Sequence, residues 1–253
     1  MMWGEATRRR LAQRALERQL AYQQHKAEHV RGREDEIVAA MMRSSIRVRE
    51  KLEVFQPIRP DARVVEVGSG AHGLIFYFGA EHRVGVDPLA VSYGNLFPSW
   101  QSRAQTIAAV GESLPFADRS FDVVLCDNVV DHAESPRKIA GELARILVPG
   151  GLLYFTVNIH HQLYAFAAGV HSGWRAAGVP YEVGPFADHT THLTLTAAVN
   201  LFTDLPLQIL SARSNIEEAR ARARKQPARH LGDRLKRVFF KNALYEVIAR
   251  RQL

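Results

Sequence analysis

The chain has 253 residues, of which 47% are hydrophobic, and it carries a formal net charge of +7. This length and apolar content suffice for one substantial core, so we expect one domain with a small extension rather than several domains. The single cysteine excludes an internal disulfide framework. The sequence contains no apolar run long enough to span a membrane and opens on charged residues rather than a signal peptide, so we expect a soluble, cytoplasmic protein.

Charge is distributed unevenly along the chain. Residues 1–60 carry 13 basic and 8 acidic side chains and residues 211–253 carry 12 and 4, whereas the middle of the chain is acidic. Basic segments of this kind can bind nucleic acid or anionic membranes, and the densest run covers residues 219–225. Because no aromatic side chains interleave with that run, we favour a solvated, arginine-rich helix over a nucleic-acid site.

The first 60 residues predict a helical N-terminal extension. Residues from about 5 to 55 contain no proline and one glycine, Gly32, which predicts two helices broken near that glycine. Apolar residues recur at helical spacing in the second helix and form a face that should pack on the following domain: Ile37, Met41, Val48, Leu52 and Phe55. We expect the extension to cover the substrate side of the domain that follows. His25 and His29 have a spacing that could ligate metal, but polar neighbours favour a hydrated surface.

Short apolar runs alternate with helical stretches from Ala62 onward. Strands are predicted at residues 62–67, 82–87, 104–110, 121–127 and 151–157, with later candidates at 205–212 and 243–251. Near-continuous apolar strands separated by helices, such as the helix predicted over 134–147, indicate a mostly parallel sheet covered on both faces. We therefore expect residues 61–253 to form a doubly wound, Rossmann-like α/β domain, with insertions at about 158–205 and 214–240.

The first predicted strand runs into a glycine-rich turn. Residues 68–73 read GSGAHG, and the apolar stretch that follows predicts a helix. Glycines at a strand-to-helix turn let the backbone approach a ligand, and the helix offers unpaired N–H groups. Asp87 lies 19 residues after Gly68, where an acidic side chain can hold ribose hydroxyls. NAD-binding folds share these features, so the turn by itself leaves the cofactor open.

Four landmarks in order give a more specific indication. They are VVEVGSG, VGVDP, GESLPFADRSFDVVLCDN and LVPGGLLYF, all between residues 62 and 157. In this order they resemble class I S-adenosylmethionine-dependent methyltransferases, especially the group that includes the ubiquinone and menaquinone ring methyltransferases. The resemblance implies an enzyme that uses S-adenosylmethionine as its cofactor.

The resemblance also implies which residues hold the cofactor. Glu66 and the backbone from Gly68 to Gly70 would line its methionine end, and Asp87 would accept both ribose hydroxyls, although a helix cap before Pro88 is another role for that carboxylate. Gly111 and Glu112 would lie beside the adenine, and Asp127 and Asn128 beside the methionine and the substrate. Ser69, Gly73 and Pro88 complete the expected cofactor site. Two positions depart from the family pattern: His72 replaces the usual third glycine, and Val110 replaces an aspartate that commonly reaches the adenine amine.

Histidines indicate where acid–base chemistry could occur. An oxygen nucleophile gains from a base with a pKa near neutrality, which histidine supplies. His132 is the first candidate for a base or substrate contact, with Asp131 orienting its ring, but a capping or packing role fits His132 as well. Other histidines follow the fifth strand or lie in the insertion: His160, His161, His171, His189 and His192. Together with Asp131 and Asp188 some of them could bind a metal, but their spacing follows no ligand pattern and we expect no metal.

Absent motifs narrow the substrate. The D-P-P-Y or N-P-P-Y element of enzymes that methylate amide or base nitrogens is replaced by DNVV at residues 127–130. Cys126 should be an unreactive thiol in a buried strand. We expect a small acceptor, such as a sugar, glycan or secondary metabolite, methylated on oxygen. Aromatic residues of the insertion could line its pocket or pack in the core: Tyr164, Phe166, Trp174, Tyr181 and Phe186. The alternatives are an RNA methyltransferase that uses the basic flanks and a non-catalytic S-adenosylmethionine-binding protein, and the oligomeric state stays open.

Overall fold

The computed structural model describes residues 5–30, 32–176, 191–225 and 242–253. Two helices come first, α1 (Glu5–Val30) and α2 (Glu34–Glu53). Between them Gly32 adopts a φ of +82°, a left-handed conformation that glycine takes readily and that ends a helix. The predicted break between two helices is therefore confirmed. Helix α2 buries Met41, Val48 and Leu52 against the sheet, as its apolar spacing predicts.

The described residues contain seven strands in one sheet. They are β1 (Arg63–Val67), β2 (His82–Val86), β3 (Gln105–Ile107), β4 (Phe121–Asp127), β5 (Leu147–Ile159), β6 (Leu207–Ser214) and β7 (Ala243–Arg251). Their order is β3-β2-β1-β4-β5-β7-β6. The first five strands are parallel, while β7 runs antiparallel to both β5 and β6. The expected Rossmann-like, mostly parallel sheet is confirmed.

Helices cover both faces of this sheet. They are α3 (Ala90–Leu96), α4 (Pro98–Gln101), α5 (Pro136–Ile146), α6 (Gln162–Ala176), α7 (Leu195–Val199) and α8 (Ile216–Lys225). Alternate strand residues feed two hydrophobic clusters, one shared with α5, α7 and α8 and the other with α2, α3 and α4. The helix predicted over 134–147 is α5, and the basic run 219–225 lies within α8. No helix of the described ranges is long and apolar enough to cross a membrane.

The stretch after the glycine turn differs from the prediction. The sequence predicts a helix there, but the chain makes only a single 3-10 turn, Leu74–Phe76, before it enters β2. The three side chains of this turn are all buried, so it has no solvent-exposed face of the kind that an amphipathic helix presents. The Leu74 carbonyl oxygen accepts from the Tyr77 N–H of the turn at 3.1 Å and also from the Ser45 hydroxyl of α2 at 2.7 Å.

The strand order fixes where a ligand should bind. After β1 the chain moves outward to β2 and β3 and then returns to β4 on the other side of β1. Loops that leave the carboxyl ends of β1 and β4 therefore diverge and leave a crevice, which is where open α/β sheets bind ligands. Gly68 follows β1 and Asn128 follows β4 at this point.

Candidate active site

A cavity of about 460 Å³ opens at the carboxyl ends of β1, β2 and β4. This volume lies in the usual range for small-molecule sites. The residues around it include many of those implied by the sequence to hold the cofactor: Gly68, Gly70, Asp87, Pro88, Gly111, Glu112 and Asn128. The fold therefore brings residues from four separate loops to one space.

The glycine turn is held rigidly at the cavity wall. Gly68 has a φ of +77°, and a Cβ at this position would overlap the side chain of Val129, so only glycine lets the β1 and β4 loops approach this closely. The indole N–H of Trp100 donates to the Ala71 carbonyl oxygen at 2.7 Å. The side-chain amide of Gln101 donates to the carbonyl oxygens of Gly70 and Ala71 at 3.0 and 3.1 Å. These three bonds from α4 hold the carbonyl groups of the turn in position.

Asp87 lies half-buried at the end of β2. Its Oδ2 accepts from the Gly70 N–H at 3.0 Å and its Oδ1 accepts from the Leu89 N–H at 2.8 Å. Burial raises the pKa of Asp87, and the two N–H donors oppose that rise. A carboxylate has about four acceptor positions, so both oxygens can also accept from ribose hydroxyls. The bond from the Leu89 N–H fits the local capping role, and contact between Asp87 and a ribose stays a prediction.

Three of the implied cofactor residues, Glu66, Ser69 and Gly73, lie behind the cavity wall. Glu66 is only 1% exposed, and its Oε2 accepts from the Ile75 N–H at 2.9 Å. Burial, together with the charges of Asp127 and Asp87, raises the pKa of Glu66 to about 8. A Cβ at Gly73 would overlap this carboxylate, so the glycine makes room for it. Contact between Glu66 and a cofactor stays a prediction.

The two departures from the family pattern have different structural outcomes. His72 packs beside Phe97 and Trp100, with ring centroids 5.0 and 5.4 Å apart, and does not line the cavity. Burial and the nearby charge of Lys26 lower the pKa of His72 to about 4, so its ring is neutral. Val110 lines the cavity with 47% of its surface exposed, and it offers no hydrogen bond to an adenine.

Several cavity residues have no signal in the sequence. Leu16 and Gln19 of α1 line the cavity, so this helix covers it, whereas the predicted cover over the substrate side stays a prediction. Tyr93 of α3 also lines it and hydrogen-bonds with Gln19, while burial raises the pKa of its phenol. These residues are missed because α1 is largely polar and α3 lies between two of the landmarks that carry the resemblance.

Hydrogen bonds connect the cavity to the carboxyl ends of β4 and β5, which we call the acceptor side. Asn128 has a φ of +58°, a conformation that asparagine tolerates better than most residues. Its Oδ1 accepts from the Asn158 N–H at 3.2 Å, and the Asn158 side-chain amide donates to Asp131 Oδ2 at 3.4 Å. Asp131 is fully buried. The structure thus links Asp131, the predicted partner of the base, to the cavity wall through one residue.

A second polar group lies at the carboxyl ends of β4 and β5. The Thr156 hydroxyl donates to Asp127, the Tyr154 hydroxyl donates to Glu246 at 3.0 Å, and Lys51 of α2 forms an ion pair with Glu246. Burial raises the pKa of Asp127, the bond from Thr156 lowers it, and the charge of Glu246 raises it further. Asp127 is implied by the resemblance to border the cofactor, but it does not line the cavity.

The histidines of this side divide into described and undescribed groups. His160 is 1% exposed, and its ring packs with Tyr164 and His192 at centroid distances of 5.1 and 5.0 Å. His161 Nδ1 accepts from the Leu163 N–H at 3.3 Å near the start of α6. His132 ends a 3-10 turn that begins at Val130, but its side chain lies outside the described structure. The same applies to the side chains of His171, Trp174, Tyr181, Phe186, Asp188 and His189.

Metal and thiol chemistry gain no support from the described residues. Within them, no three histidine, cysteine, aspartate or glutamate side chains lie close enough to hold a metal ion. His25 and His29 stack with a centroid distance of 4.3 Å on the surface of α1. Cys126 is fully buried in β4, and burial raises the pKa of its thiol, in agreement with the prediction that it is unreactive.

Known proteins share both the central sequence and the fold. A family model described as a methyltransferase domain matches residues 65–155. An uncharacterised methyltransferase of Mycobacterium sp. (strain KMS) is 33% identical over 136 residues, 52% of this chain and 44% of that protein. A thiol S-methyltransferase of Rattus norvegicus is 50% identical over 54 residues, 21% of this chain and 22% of that protein. The chain therefore spans less than half the length of these curated relatives.

A solved structure extends the fold likeness beyond the matched segment. The geranyl diphosphate C-methyltransferase from Streptomyces coelicolor A3(2), solved with Mg²⁺, geranyl diphosphate and S-adenosyl-L-homocysteine, superposes with a TM-score of 0.55 at 14% identity. The match covers 86% of this chain and 83% of that one. At this identity it shows the fold alone, and the ubiquinone and menaquinone subgroup stays a prediction. Residues 65–155 therefore match a methyltransferase domain, and the sheet agrees with the fold of a solved methyltransferase.

Proposed function

We propose that the protein is an enzyme that transfers a methyl group from S-adenosylmethionine to a small molecule. The observation that carries this proposal is the cavity of about 460 Å³. There the rigid glycine turn, Asp87 and the Gly111 loop surround one space that ends at Asn128, next to the acceptor side. A pocket that binds only a nucleotide would need the glycine turn, Asp87 and the Gly111 loop. It would not need the hydrogen bonds that lead from Asn128 through Asn158 to Asp131.

We propose a role for each wall of the cavity. Asp87, held by two backbone N–H groups, would accept the ribose hydroxyls in charge-assisted bonds. The turn at Gly68 and Gly70 would hold the methionine end. The Gly111 loop would contact the adenine by shape, because the Glu112 carboxylate accepts from the Glu134 N–H at 2.9 Å and Val110 is apolar.

Methyl transfer depends mainly on the alignment of the acceptor atom, the methyl carbon and the sulfur. The acceptor atom forms a bond to the methyl carbon while the bond from that carbon to sulfur breaks, and a neutral hydroxyl acceptor loses its proton. Holding the three atoms in line can contribute roughly 7 to 11 kcal/mol. A cofactor covered by α1 is suited to this task because the helix limits its motion. His132, beside buried Asp131, stays the first candidate to receive the proton, and the described alternatives are His160, His161 and His192.

The charges around the reaction position favour a small acceptor over RNA. Three carboxylates, Asp87, Glu112 and Glu134, line the cavity, and the basic residues that the structure describes there are one lysine, Lys138, and no arginine. A phosphodiester backbone would meet mostly like charge there. We propose oxygen as the methylated atom because imidazoles lie on the acceptor side. Sulfur and carbon are the alternative methylated atoms, because the rat relative is named a thiol S-methyltransferase and the Streptomyces protein a C-methyltransferase.

A labelled methyl group tests this proposal. The purified protein is incubated with S-adenosylmethionine carrying an isotopic methyl label, together with either a mixture of small metabolites or total RNA. We expect label in a metabolite, release of S-adenosylhomocysteine, and less of both with Asp87→Asn at the same cofactor concentration. Label in RNA alone would support the RNA alternative. Cofactor binding without transfer to any acceptor would support a non-catalytic protein.

A further inference from the structure

A second cavity, of about 630 Å³, lies at the opposite edge of the sheet, where the strands begin. It runs across the amino ends of β1, β2 and β3 and the start of β4. Three arginines from separate segments line it: Arg63 opens β1, Arg83 lies in β2, and Arg103 precedes β3. The lining contains one acidic residue, Glu81. We call this cavity the arginine groove.

The positive charge of the arginine groove is only partly neutralised. Arg63 forms an ion pair with Asp122 at 3.3 Å. Among the residues that the structure describes, neither Arg83 nor Arg103 has a carboxylate within ion-pair distance. Their charges also act on each other, because burial and the charge of Arg103 lower the pKa of Arg83. Two adjacent guanidinium groups without a counter-ion favour an anionic ligand.

Both guanidinium groups are held in place. Arg83 donates from Nη1 to the Phe76 carbonyl oxygen at 3.1 Å and from Nη2 to the Arg103 carbonyl oxygen at 2.7 Å. Its Nε–H is buried and has no hydrogen-bond partner among the described residues. The Arg103 guanidinium lies 4.7 Å from the centre of the Tyr77 ring, and the residue is solvent-exposed. Because the guanidinium of Arg103 packs on the Tyr77 ring, its N–H groups can donate to a ligand from a defined position.

We propose that the arginine groove binds the phosphate group of a small molecule. Guanidinium matches the oxygens of a phosphate in paired, charge-assisted bonds, with Arg103 as the contact and Arg83 as the charge beneath it. The hydroxyls of Ser102 and Ser120 border the same space. A compact groove with one buried aromatic residue, Phe121, suits a mono- or diphosphate rather than a nucleic-acid strand, which needs exposed stacking surfaces. This site is separate from the methyl-transfer cavity and does not depend on its function.

Calorimetric titration of the full chain with sodium pyrophosphate tests the proposal. We expect saturable binding that weakens as salt rises, and a loss of affinity of about tenfold or more in Arg103→Ala, since one charge-assisted contact is removed. Arg103 is exposed, so this variant should fold. Arg43→Ala, which removes an exposed arginine of α2 outside the groove, should bind as wild type does.

Two further titrations, with a nucleoside diphosphate and with a short RNA, test which phosphate compounds the groove binds. Inorganic pyrophosphate and a nucleoside diphosphate should both bind and compete with each other. Tight binding of a short RNA with no response to pyrophosphate would overturn the proposal in favour of nucleic acid. Equal pyrophosphate affinity in wild type and Arg103→Ala, or no saturable binding in wild type at low salt, would also overturn it.

Discussion

Glu66 allows a quantitative test of the buried layer behind the cavity wall. Its carboxyl is 1% exposed, and its pKa rises from 4.5 to about 8 in the folded, cofactor-free protein. The folded state therefore holds this proton more tightly than the unfolded state. The contribution of Glu66 to stability is fully present below pH 4.5 and is lost as pH rises toward 8. In Glu66→Gln the side chain is always neutral and its oxygen can still accept from Ile75.

The size of the effect follows from the two pKa values. At pH 7 the wild-type protein should have lost about 3 kcal/mol relative to the neutral isostere, since each unit corresponds to about 1.4 kcal/mol. The difference in free energy of unfolding between Glu66→Gln and wild type should therefore be smallest near pH 4.5. It should grow in favour of the variant up to about pH 8 and then level off. Urea denaturation of the cofactor-free protein across this range measures it.

A matched substitution separates this effect from general charge changes. Glu50→Gln removes an exposed carboxylate of α2, and its free energy of unfolding should stay parallel to that of wild type. If the difference between Glu66→Gln and wild type does not change with pH, the carboxyl of Glu66 is ionised in the fold. Our inference that burial keeps the Glu66 carboxyl protonated would then be wrong.

Three further predictions concern binding and turnover. Asp87→Asn should lower affinity for S-adenosylhomocysteine by about tenfold or more, measured by calorimetry, because the charge behind the ribose bonds is lost. The double substitution of Leu16 and Gln19 by alanine should weaken cofactor affinity several-fold, because α1 covers the cavity. His132→Ala should lower kcat by about 10² to 10⁴ with cofactor affinity unchanged, as for the loss of a general base, once an acceptor is known.

Each of these predictions has a control and a contrary outcome. Asp61→Asn and Glu17→Ala remove exposed acidic residues and should leave cofactor affinity unchanged. Wild-type affinity in Asp87→Asn would leave that residue only its cap at Leu89. Unchanged affinity in the α1 variant would mean that this helix does not touch the cofactor. His82→Ala, which removes an exposed histidine of β2, should keep its kcat. A folded His132→Ala with near-normal kcat would remove that histidine as the base and leave His160, His161 and His192 as candidates.

The sheet could be predicted because its strands are locally distinct. Each buried strand is a short β-branched run bounded by a glycine, proline or acidic residue, and alternation with helices fixes the parallel arrangement. The late strands at 205–212 and 243–251 were predicted on the same pattern and complete the sheet as β6 and β7. Hydrophobic periodicity in α2 likewise predicted which of its residues, such as Leu52, are buried.

Features that depend on tertiary contacts could not be predicted. The apolar stretch from Leu74 suits a helix by itself, but burial on all sides and the contacts from Ser45 and Glu66 hold it as one 3-10 turn. The cover provided by Leu16 and Gln19 depends on how α1 docks, which a polar helix does not reveal. The arginine groove joins residues 63, 83 and 103, which no local pattern connects.

The central claim is that the cavity at the β1 and β4 ends binds S-adenosylmethionine. Calorimetric titration of the purified protein with S-adenosylmethionine, S-adenosylhomocysteine and NAD tests it most directly. We predict saturable binding of the first two at one site per chain, a large loss in Asp87→Asn, and no binding of NAD. Binding of NAD without any response to S-adenosylhomocysteine would contradict the account.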